Sequence, residues 1–177
     1  MFYSMVRHCS MRIRLSKKPL HSFKETVGKI VELSDKYWTD LLLPNKLKIN
    51  FKELSPQELF NTIQSIPYEK DPEGIEHVSR PKILLEFAGQ GIPFDCDDRT
   101  VIVLSYFKLK NHQLSGDTKK PFQTKIRVTG RNDRPHHVFA SYRIPNITDW
   151  IALDPTYPRN VYGLELFKPG YEYERLV

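Results

Sequence analysis

Apolar residues recur at two different spacings along this chain, and the change of spacing divides it into a helical part and a strand part. Val27, Ile30, Val31, Ser34, Trp38 and Leu41 fall near one face of a helix spanning residues 22–43. Ser22 supplies an N-cap, Glu25 three residues on makes a capping box, and Pro44 ends the helix. A second helix starts at Ser55-Pro56. Serine caps it, proline takes the first helical position, and Glu58 stands three after the cap. Leu59, Phe60, Ile63 and Ile66 form its apolar face, and Pro67 closes it. A short helix covers residues 81–88, ahead of Gly89 and Gly91. The run Val101–Leu109 is almost wholly apolar, which suits a buried strand or a buried helix. Its length favours helix, as do three carboxylates at its start, Asp95, Asp97 and Asp98, where the helix dipole favours negative charge.

Beyond a polar loop at residues 111–120 the period becomes two. Residues 125–129 and 138–144 alternate, Pro145-Asn146 makes a turn, and residues 150–153 form another short strand ended by Asp154-Pro155. The C-terminal tail carries Tyr and Phe without a clear period. Helices followed by antiparallel strands predict an α+β fold, with helices packed on one side of a small sheet.

Composition narrows this further. The chain has 177 residues, 40% hydrophobic and 12% aromatic, enough for one core and one domain over residues 1–177. The 27 basic and 21 acidic residues leave a net charge of +6. Arg7, Arg12, Arg14, Lys17 and Lys18 gather much of it in residues 1–20, read as a peripheral basic tail. That tail lacks the apolar region of a signal peptide, and no stretch approaches the roughly 20 apolar residues that cross a bilayer. A soluble, cytoplasmic protein without a membrane partner is predicted. The two cysteines, Cys9 and Cys96, are too few for a disulfide scaffold or a zinc site. A bridge between them would tie Cys96 to the tail, so none is expected.

Cys96 is the residue with chemical promise. Attack on an amide needs a thiolate, a base beside it and a group that orients the base. With Asp95 as N-cap, Cys96 is the first residue of the apolar helix, where the dipole favours a negative sulfur. Asp97 and Asp98 oppose that charge, so a histidine is required. His137 is carried by one strand and Asp154 ends the next. Adjacent antiparallel strands can therefore set the carboxylate beside the imidazole.

Asp95-Cys96-Asp97-Asp98, His137-Val138-Phe139 and Trp150-Ile151-Ala152-Leu153-Asp154-Pro155-Thr156, in that order, resemble the transglutaminase-like superfamily of the papain-like class. Ile66-Pro67-Tyr68 and Asp71–Glu76 extend the likeness toward a bacterial branch found in phage and prophage virion gene clusters. The resemblance covers residues 55–157, the catalytic core. It implies a Cys96, His137 and Asp154 triad, a protein or peptide substrate, no cofactor, and an association with virion proteins. By the spacing of papain-like proteases, Gln90 would be the oxyanion donor, with Tyr68 as a second candidate. This sequence departs from the pattern at Phe94, where a glycine is usual. A bulky side chain there would narrow or block the site.

Other features read as structure. His136 is expected to face away from Cys96, because neighbouring strand residues point to opposite faces. Asp95, Asp97 and Asp98 serve as cap and orienting groups rather than metal ligands, with Asp98 turned to Arg99 or a loop. Lys125 and Arg127, with Lys119, Lys120, Arg131 and Arg134, read as a solvated sheet face, so nucleic acid is not the expected partner. The tyrosines of the tail are read as packing residues, and the sequence assigns no role to His8, His21, His77 or His112. The sequence therefore predicts a cysteine amide hydrolase acting through an acyl-enzyme thioester. The alternatives are a transamidase of the same mechanism and a non-catalytic virion module.

Overall fold

A computed structural model describes residues 22–73, 76–114, 122–132, 134–165 and 170–177. The basic tail, Cys9, His8, His21, Lys119 and Lys120 lie outside them. Four helices precede a four-stranded sheet, the α+β order that the change of period predicts. The helices are α1 (Phe23–Tyr37), α2 (Pro56–Gln64), α3 (Pro81–Phe87) and α4 (Cys96–Leu114). The strands are β1 (Gln123–Arg131), β2 (Arg134–Arg143), β3 (Ile151–Leu153) and β4 (Tyr171–Leu176), all antiparallel in the order β3-β2-β1-β4.

The caps act as their sequences dictate. The Ser22 side chain accepts the Glu25 N–H, and at α2 Ser55 and Glu58 satisfy each other's backbone N–H in a full capping box. The helix predicted over residues 22–43 stops earlier. After Tyr37 it tightens into a 3-10 turn, Trp38–Leu42. Pro44 forces Leu43 out of helical geometry. Asp40 is drawn to α3, accepting from the Arg80 guanidinium and the Lys82 N–H.

The long apolar run is helix. From Asp97 to Phe107 every residue of α4 is buried, against α1 and the 3-10 turn on one side and β2 on the other. Residues 111–114, expected in a loop, continue this helix. Asn111 holds the Phe122 backbone through both its amide atoms and so fixes the entry to β1.

Two features of the sheet are not those the sequence predicts. β1 and β2 meet with a bulge between Thr129 and Gly130, where Gly130 faces Pro135 and Thr129 faces His137, leaving His136 as the extra residue. β4 was not expected. It alternates Tyr171 and Tyr173, which pack edge-on against Phe23, with Glu172 and Glu174, which face β1. Glu174 pairs with Lys125 at 2.8 Å and with Arg127 at 3.0 Å, while Glu165 reaches Arg127 at 3.1 Å. The basic pair is thus covered and neutralised, not a solvated face. His112 and His77 also find neighbours. The His112 ring lies 5.0 Å from that of Trp38, and His77 Nδ1 lies 3.3 Å from Ser79 Oγ.

Candidate active site

Cys96 opens α4 because the chain on either side is pinned. Before it, Phe94 N–H donates to the Glu69 carbonyl at 2.8 Å. After it, Arg99 N–H bonds the Asp95 carbonyl and Asp97 N–H the Asp95 side chain, the signature of an N-cap. Thr100 then docks the first turn on β2, bonding the carbonyls of Cys96 and Val138.

Arg99 is the residue that sequence reading passed over. It is 1% exposed, yet its guanidinium meets no carboxylate. It donates instead to the carbonyls of Ile63 at 2.7 Å, Ile66 at 2.7 Å, Pro155 at 2.8 Å and Phe94 at 3.4 Å. Ile63 lies in the last turn of α2 and Ile66 just beyond it, where the negative end of the helix dipole favours a cation. A single side chain thereby joins the end of α2, the residue after Asp154 and the residues before Cys96. Its charge, in an apolar run, was the available signal. Burial lowers the Arg99 pKa to about 10, still a cation at neutral pH.

His137 and Asp154 lie side by side, as their places on adjacent strands predict. His137 Nε2 lies 2.7 Å from Asp154 Oδ2, and both side chains are about nine-tenths buried. Asp154 is itself held, its other oxygen accepting from Thr156 N–H and its carbonyl from Asn160. Phe139 and Tyr157 flank the imidazole, with ring centres at 5.6 and 5.4 Å. Because Nε2 faces an acceptor-only carboxylate, it carries the proton and Nδ1 presents its lone pair. That Nδ1 is buried and unpartnered.

Cys96 and His137 line one cleft of about 390 Å³, with Phe23 and Thr26 of α1, Glu76, and Val138. No hydrogen bond joins their side chains. The sulfur is addressed by the backbone N–H of Val138. Burial, then the Asp95 carboxylate, push the thiol pKa up, while the Val138 N–H pulls it down. The dipole-stabilised thiolate expected from the sequence is therefore corrected: desolvation outweighs the helix end.

Three further expectations change. The bulge lets His136 line the cleft beside His137, at its exposed rim, rather than face away. Phe94 does not block the site. It is 1% exposed within the core, with the Arg99 guanidinium 4.8 Å above its ring. Gln90 is exposed, and its amide is engaged by the Glu86 carbonyl and Lys46, which leaves it outside the cleft. Tyr68 keeps its place as oxyanion candidate. Its ring lies 5.8 Å from that of Tyr157, and burial followed by the Cys96 charge pushes its hydroxyl pKa up, so it remains a donor.

Asp95, Asp97 and Asp98 are all buried. Asp98 orients a loop, not Arg99, accepting from Ser79 N–H at 2.8 Å. Burial first, then neighbouring carboxylates, hold Asp97 and Asp98 well above the usual carboxylate range. No family model, curated protein or solved structure matches the chain.

Proposed function

We propose that this protein is a cysteine-nucleophile amide hydrolase. The observation that carries the reading is the 2.7 Å His137–Asp154 pair, its Nδ1 left unpartnered, on a residue that lines the same cleft as Cys96. A base oriented by a carboxylate, with its second ring nitrogen unclaimed, is what a buried thiol requires.

Cys96 Sγ attacks the carbonyl carbon of an amide as His137 Nδ1 takes the thiol proton. The developing oxyanion is met by the Cys96 N–H at the start of α4 and the Tyr68 hydroxyl. His137 returns its proton to the leaving amine, the C–N bond breaks, and an acyl thioester remains on Cys96. Water, deprotonated by the same Nδ1, then releases the carboxylic acid and restores the thiol. The transglutaminase-like motif order in the sequence agrees with this scheme, and the burial of Phe94 removes the main objection to it.

The test is turnover by the purified full chain of peptide, isopeptide and muropeptide amides, followed by intact-mass spectrometry. An acyl adduct on Cys96, lost in Cys96→Ala, is expected. Transfer to an added amine in preference to water would make it a transamidase. Absence of both turnover and adduct across the panel would leave a non-catalytic module.

A further inference from the structure

We propose that the surface joining residues 41–54 to the C-terminal end of α4 is a docking groove for an acidic segment of a partner protein, one that inserts apolar side chains between its carboxylates. Leu42, Leu43 and Leu47 are 41%, 43% and 39% exposed, and Leu114, the last residue of α4, is 53% exposed. Single exposed leucines are ordinary, but several on one surface mark a place of contact. α4 has 19 residues, so Leu114 stands about 27 Å along the helix from Cys96. The groove is separate from the cleft, and the proposal stands whether or not Cys96 is a nucleophile.

Two adjoining hollows make up the groove. One, of about 460 Å³, is walled by Leu41, Leu42, Leu43, Pro44 and Ile49. The other, of about 370 Å³, is walled by Leu54, Pro56, Tyr106, Leu114 and Phe122. Lys52 lines both, and its carbonyl accepts from Lys110 Nζ at 2.6 Å, which ties the two together. The loop around the first hollow is fixed in place. Asn45 grips the Ile49 backbone through both its amide atoms, at 2.9 and 3.0 Å. Lys48 is kept at φ 56°, in the left-handed region that a residue with a side chain seldom enters. Phe51, 0% exposed, roots the segment in the core and leaves the outer leucines to solvent.

Charge selects the occupant. Lys48 and Lys52 line the first hollow, Lys52 and Lys110 the second, and among the described residues no carboxylate lines either. Glu58 acts on Lys110 from nearby, but its own carboxylate is bonded to the Ser55 N–H and hydroxyl. A second copy of this chain is a poor occupant, because a two-fold pair would set the same lysines face to face. A flat bilayer surface would leave both hollows unfilled. A segment with apolar anchors set among carboxylates fills the hollows and pairs with the lysines at their rims.

The experiment is selection of a displayed library of random short peptides on the full chain, then anisotropy titration of an enriched peptide in solution. Enriched sequences should carry Leu, Ile or Phe interleaved with Asp or Glu. Leu43→Ser and Leu47→Ser should each weaken the peptide about tenfold, as loss of an anchor does. Lys48→Glu combined with Lys52→Glu should weaken it at low salt and flatten its salt dependence. All four positions are exposed, so the variants should unfold at the parent's midpoint. Where a leucine variant fails to fold, the lysine pair decides. No enrichment of acidic and apolar sequences, or binding unchanged in these variants, overturns the proposal. Should the variants instead abolish a concentration-dependent dimer or binding to phosphatidylserine vesicles, the surface belongs to another occupant and the proposal falls.

Discussion

At the scale of residues, the cleft asks for a base more than for a stored thiolate. Burial raises the Cys96 thiol above its ordinary value, and the Val138 N–H offsets only part of this. The thiol is then neutral at neutral pH, and reactivity grows as protons are withdrawn. Iodoacetamide alkylation of Cys96 should keep rising with pH and show no plateau at or below about 8.5, the free-cysteine value. A plateau near neutrality would mean that the helix end outweighs burial after all. Asp154→Asn tests the orienting partner. If turnover is found, the variant should lower kcat by about 10²–10⁴-fold with little change in KM, because it alters the imidazole's tautomer rather than substrate contacts. An unchanged kcat would remove Asp154 from the machinery. Cys96, His137 and Asp154 were legible in the sequence because each stands at a local mark: a helix start, a strand, a strand end. Phe94 and Gln90 were not, since what their side chains touch is decided by the loop between α3 and α4.

Elements carry the precision of the site, and here the sequence was only partly readable. Helix caps and the buried α4 follow from local rules. β4 does not, although its Tyr-Glu alternation was present, because its meaning depends on Phe23, Lys125 and Arg127, all distant in sequence. The bulge ahead of His137 is likewise a matter of pairing. It requires a residue without a side chain at position 130, where an added Cβ would lie 1.9 Å from the Arg134 carbonyl oxygen. Gly130→Ala should therefore break the bulge and shift His137 out of register with Thr129. Its readout is a loss of stability in urea together with a loss of any Cys96-dependent turnover. A variant as stable and active as the parent would show that the hairpin can relax around the methyl. Arg99 gives the largest expected effect. Arg99→Met takes a charged donor from the buried carbonyls of Ile63, Ile66 and Pro155, and should cost about 3–5 kcal/mol by denaturant unfolding. A cost below about 1 kcal/mol would reduce Arg99 to a packing residue.

For the molecule as a whole, the arrangement of charge matters more than its sum. The chain is basic overall, yet carboxylates crowd the Cys96 end of α4, while Lys125 and Arg127 are taken up by β4. Among the described residues, then, Lys125 and Arg127 are paired within the sheet rather than presented as free charge. The acidic end has a consequence for stability. Burial, followed by the charges of Asp95 and Glu76, raises Asp71 to about 7 despite the opposing His77 N–H, and burial raises Asp97 and Asp98 as well. A carboxyl with a raised pKa binds its proton more tightly in the folded chain than in the unfolded one. Its favourable contribution is complete below the unfolded value of about 4 and is lost as pH climbs through the folded value. Asp71 should therefore make stability fall between about pH 4 and pH 7. Asparagine mimics the neutral acid, so Asp71→Asn should gain stability relative to the parent across that window. The comparison isolates this group from every other titration the two proteins share. Parallel stability curves for parent and variant would mean that Asp71 ionises in the folded chain as it does in the unfolded one.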